Sequence, residues 1–96
     1  MGKNEVLDTL KALRPELETR YKVNEISLFG SFVRGEQAES SDIDVLVDFN
    51  TDASYFDLVR LGDFLEEKFQ RHVDVIPKES LRAEIREAVL RERVTI

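Results

Sequence analysis

The sequence predicts an α/β fold. Three short apolar runs with the two-residue alternation of strands stand at Glu25–Phe29, Ile43–Val47 and His72–Ile76. Segments with helical spacing precede, separate and follow them. The second and third runs are joined by a helix, so they should lie parallel with a right-handed crossover. The first and second have a short connection and should be antiparallel. The expectation is a small mixed three-stranded sheet covered by helices. At 96 residues it forms one domain spanning 1–96.

In chain order, Leu7, Leu10, Leu13 and Leu17 recur at helical spacing beside Val6, with Asn4 as the expected N-cap. Pro15 predicts a break near Arg14 and a second short helix from there. After the first strand, Gly30-Ser31-Phe32-Val33-Arg34-Gly35 has room for one helical turn, and Glu36–Ser41 reads as a polar loop. Ser54 and Asp57 form the pattern of a capping box. The helix they open should carry its apolar stripe on Tyr55, Leu58, Leu61, Leu65 and Phe69. Pro77 stops the third strand. Ser80 is placed to cap a last helix bearing Leu81, Ile85, Ala88 and Val89, and Arg93–Ile96 could end extended. No repeat, low-complexity tract or linker interrupts this order.

Composition narrows the function. There is no cysteine, which removes disulfides and thiolate metal sites and fits a reducing cytoplasm. No apolar run approaches a membrane span, and no signal-peptide core follows Met1. Met1-Gly2 opens like a myristoylation site, but Val6 stands where that motif needs Ser or Thr. The formal net charge of −6 argues against direct nucleic-acid binding and favours a metal-loaded site or a basic protein partner.

The chemistry concentrates in Leu28–Val47, LFGSFVRGEQAESSDIDVLV. Asp42 and Asp44 fall on one face at strand spacing. Side by side they repel each other and add nothing to a core. They make sense around a divalent cation, because hard cations take carboxylate oxygens and bring phosphates with them. In an antiparallel pair, Gly30-Ser31 at the end of the first strand lies beside Asp42 and Asp44 at the start of the second. Asp74, early in the parallel third strand, can reach the same corner.

Taken singly, these residues have ordinary readings. Paired acids are often solvated, and Gly and Ser are common in turns. Asp74 lies between Val73 and Val75 and needs a partner, for which Arg34 is a candidate counter-ion. Gly35 can supply a positive φ. His72 is read as a strand-edge residue rather than a ligand or base. Arg82, Arg86, Arg91 and Arg93 are read as a solvated helix face.

The combination is more specific. Gly30-Ser31, Arg34-Gly35, Ser41-Asp42-Ile43-Asp44 and a later strand Asp74 resemble the signature of the minimal nucleotidyltransferases of the DNA polymerase β-like superfamily. Within that family the chain looks like the small antitoxin partners of HEPN-type toxins. The resemblance implies the nucleotidyltransferase fold, with ATP as substrate and two Mg2+ ions. It implies Asp42, Asp44 and Asp74 as catalytic, metal-holding residues, with Gly30, Ser31, Arg34 and Ser41 on the nucleotide side. Arg34 either supports the turn or meets a phosphate. It further implies AMP transfer to a tyrosine hydroxyl of a HEPN-type toxin, blocking its RNase activity, within a cytoplasmic hetero-oligomer. Two alternatives stand beside it: transfer to a small-molecule hydroxyl, and neutralisation of a toxin by binding alone.

Overall fold

The computed structural model describes residues 1–96. Its elements are α1 (Lys3–Arg20), β1 (Val23–Phe29), α2 (Ser31–Arg34), β2 (Ile43–Phe49), α3 (Tyr55–Phe69), β3 (Val73–Pro77), α4 (Ala83–Glu92) and β4 (Val94–Thr95). The sheet has four strands rather than three, in the order β3-β2-β1-β4. The β1–β2 pair is antiparallel and the β2–β3 pair parallel, as the connections require. The added strand is the extended C-terminal segment, which pairs antiparallel with β1 through Ser27↔Thr95 and Leu28↔Val94. A two-residue strand carries too little pattern to be counted from sequence. It is fixed by contacts distant in the chain, including a 3.0 Å bond between the hydroxyls of Ser27 and Thr95.

Strand alternation gives the sheet two unlike faces. Ile26, Leu28, Ile43, Val45, Val47 and Val73 meet Val6, Leu10 and Leu17 of α1 and Leu61, Leu65 and Phe69 of α3 in the main core. The opposite face carries Phe29, Leu46 and Ile76, packed with Leu81, Val89 and Leu90 in a smaller cluster. This second cover reaches only part of its face, so the remainder is available for chemistry.

Four local expectations are corrected. The first helix does not break at Pro15 but runs unbroken from Lys3 to Arg20, with Gly2 rather than Asn4 as its N-cap. The N–H that Pro15 lacks would have served the carbonyl of Lys11, an exposed residue that water can reach. Leu10 and Leu17, both wholly buried, hold the helix on either side of the proline. Ser80 does not cap α4. It ends a 3-10 turn at Lys78–Ser80, and Arg82 is the N-cap. Leu81 is drawn into the second cluster in an extended conformation, which delays the helix. The capping box at Ser54 and Asp57 is present, with Asp57 Oδ2 accepting the Ser54 amide at 2.8 Å. Tyr55, however, is 75% exposed and lies off the buried stripe.

Candidate functional site

The site is built at the end of the sheet where β1 finishes and β2 and β3 begin. Phe29 pairs with Asp44, and Asp44 pairs with Asp74, so one row across three strands runs from the glycine turn to both carboxylates. Asp44 and Asp74 therefore share the open face, while Ile43, Val45 and Val73 anchor the same strands in the core. Asp42, just ahead of β2, offers a carboxylate oxygen within 4.8 Å of ligand atoms on both Asp74 and His72.

Gly30 is required here. Its φ is +81°, a region that L side chains rarely adopt. A Cβ at this position would lie 2.4 Å from Asp44 Oδ2. The missing side chain is what lets the turn approach the carboxylate. Ser31 follows at the start of α2, and Gly35 closes that short helix in the left-handed conformation.

The charges press on one another. Burial, then the neighbouring Asp74 and Asp42 charges, push the Asp44 carboxyl up to about 6. A divalent cation relieves such repulsion, and a set of carboxylate oxygens is the donor chemistry that Mg2+ takes. The residues present thus fit that ion.

Sequence reasoning assigned too little to His72. It lies just outside β3 and not within it. Its Nε2 is 2.9 Å from Asp74 Oδ1 and its Nδ1 is 2.6 Å from Glu66 Oε2. Glu66 is itself held by the Val73 amide at 3.1 Å. The hydrogen bond with Asp74 raises the His72 pKa, helped by the charges of Asp74, Asp42 and Glu66. The one sequence signal was spacing, since His72 stands two residues before Asp74 and so on its face.

Arg34 is not the counter-ion of Asp74. Its Nε bonds Glu36 at 2.8 Å and its Nη1 bonds Glu92 at 3.1 Å. Asp74 is partnered by His72 instead. Ser41 turns into its own loop, where its hydroxyl accepts the Ala38 amide at 2.7 Å and its carbonyl accepts Arg71 Nη1 at 2.9 Å. Beside the carboxylates a cleft of about 590 Å3 runs under α4, with Gly30, Arg34, Asp44 and Glu92 in its wall and Phe29, Ile76 and Ile85 among its apolar lining.

This arrangement defines a small α/β protein of the nucleotidyltransferase fold. A solved structure provisionally named as a minimal nucleotidyltransferase superposes with a TM-score of 0.85 at 32% identity, covering 100% of this chain and 97% of that one. A toxin–antitoxin structure with AMP-PNP shares the fold at a TM-score of 0.69 and 23% identity, covering 99% of this chain and 72% of that one. Residues 10–96 match the nucleotidyltransferase domain family, and the chain belongs to that family. It is similar to the protein adenylyltransferase MntA of Thermococcus cleftensis, with 42% identity over 92 residues, spanning 96% of this chain and 93% of that protein.

Proposed function

We propose that this protein is a Mg2+-dependent adenylyltransferase that moves AMP from ATP to a tyrosine hydroxyl on a HEPN-type toxin, silencing the toxin's RNase activity. The observation that carries the reading is the row Gly30–Asp44–Asp74, with Asp42 beside it. Family membership and the similarity to a protein named as a protein adenylyltransferase support it.

In this reading Asp42, Asp44 and Asp74 hold two Mg2+ ions, which when bound offset charge on the triphosphate and on the attacking oxygen. Gly30 and Ser31 hold the β- and γ-phosphates with Arg34 on the same side, while Ser41, engaged with Ala38 and Arg71, braces the loop that leads into Asp42. The acceptor oxygen attacks the α-phosphorus in line, the bond from that phosphorus to the bridging oxygen breaks, and pyrophosphate leaves. The hydroxyl proton passes to the Asp74 carboxylate. Glu66 and His72 hold Asp74 in position. The partner protein brings most of the acceptor's binding surface, so the enzyme and its target form a stable hetero-oligomer in the cytoplasm.

The test is to incubate the protein with ATP, Mg2+ and the toxin, then read the toxin's intact mass and locate any added group by peptide sequencing. An adenylyl group on a tyrosine supports the reading. An unmodified toxin whose RNase activity is nonetheless blocked would favour neutralisation by binding.

A further inference from the structure

We propose that Glu92 is a built-in stand-in for a nucleotide phosphate, and that polyphosphate binding displaces it and loosens the end of α4 and β4. The inference rests on the reading of Gly30 as the phosphate turn. The Gly30 amide donates to Glu92 Oε1 at 3.0 Å. Arg34 Nη1 donates to both carboxylate oxygens, at 3.1 and 3.3 Å. An amide of a glycine turn together with a guanidinium is a donor set that takes a phosphate oxygen. Here a carboxylate fills it.

Three features mark this contact as an exchange rather than a strut. Glu92 is the last residue of α4, where a negative charge faces the negative end of the helix dipole. Its placement therefore depends on Gly30 and Arg34. Second, Gly30 abuts Asp44, so Glu92 adds a carboxylate to a corner already crowded with negative charge. A triphosphate arriving there cannot share it with Glu92 at low cost. Third, Arg34 has a second partner in Glu36 at 2.8 Å, on its Nε rather than on the Nη1 that Glu92 takes, so losing Glu92 does not leave the guanidinium without a partner.

The consequence is mechanical. Immediately after Glu92, Arg93 reaches Glu25 at 2.9 Å, and Val94 and Thr95 pair with β1, which leads directly into Gly30. Releasing Glu92 removes the tie between the turn and this segment. Occupancy of the phosphate position is thereby transmitted to α4 and β4, and by linkage anything that pulls α4 away from the turn favours polyphosphate binding. The affinity of the resting protein is lowered by the fraction of time Glu92 holds the seat.

The experiment is calorimetric titration with inorganic tripolyphosphate and Mg2+ for the parent protein, Glu92→Gln, Glu92→Asp and Glu36→Gln. Glu92→Gln should bind about three- to ten-fold more tightly, because a neutral amide competes less well for Arg34. Glu92→Asp keeps the charge but is one carbon too short to reach Gly30, and it should tighten binding as well. Glu36→Gln removes an equal charge from Arg34 without touching Gly30 and should change affinity less than about two-fold. In the parent, amide exchange at Val94–Ile96 should quicken on saturation with tripolyphosphate. Equal or weaker binding by both Glu92 variants, or a gain matched by Glu36→Gln, overturns the exchange. If none of the four proteins binds tripolyphosphate, the phosphate reading of Gly30 falls, and the exchange falls with it.

Discussion

Asp44 and Asp74 occupy the same rung of the parallel β2–β3 ladder, and the charge of Asp74 helps raise the pKa of Asp44. Asp44, pushed up to about 6, binds its proton more tightly in the folded chain than in the unfolded one. It therefore favours the folded state below the unfolded carboxyl pKa of about 4, and this advantage is lost as pH rises through about 6. His72, whose pKa is raised chiefly by its bond with Asp74, has the same sign: its contribution is present below about 6.5 and lost above its folded value. With a chelator present, urea stability should fall as pH rises from about 4 through about 6, and fall further above about 6.5. Added Mg2+ should stabilise more at the upper end than at the lower. Chelated protein that gains stability over this interval would contradict the electrostatic picture.

The two positive-φ glycines separate strain from approach. At Gly35 an alanine Cβ would meet nothing within 4 Å, so Gly35→Ala should cost about 1 kcal/mol, from the left-handed backbone alone. At Gly30 the same change adds a collision with Asp44. Gly30→Ala should cost more than Gly35→Ala in urea melts and should also abolish nucleotide binding, whereas Gly35→Ala should retain it. Equal costs and equal binding in the two variants would show that the Gly30–Asp44 approach is unimportant.

Pro15→Ala should stabilise the protein by about 1 to 2 kcal/mol, since it restores a helical N–H to the Lys11 carbonyl and puts the best helix former in place of the worst. Part of the gain is offset by the greater freedom of the unfolded chain. A denaturation midpoint that drops would mean that Pro15 has a packing role its exposure does not suggest.

Much of this was readable from residue order. Period-2 spacing placed Asp42 and Asp44 on one face, and connection length gave the antiparallel and parallel pairings that bring Gly30 and Asp74 to the same corner. Local patterns failed where a distant contact decides. Pro15 stays helical because Leu10 and Leu17 are packed on the sheet. The strand Val94–Thr95 exists because β1 offers an edge. His72 joins the site through Asp74, with Glu66 on its other nitrogen, and Glu92 joins it through Gly30, contacts for which propensity carries no signal.

Asp74→Asn is the sharpest probe of the three-carboxylate mechanism, because it keeps the side-chain shape and removes the charge that both a cation and a general base need. The measurement pairs pull-down of the toxin with mass spectrometry for AMP on it. The variant should hold the toxin as the parent does and transfer AMP at least about a hundred-fold more slowly. Transfer at the parent rate with the complex intact would show that Asp74 takes no part in the chemistry.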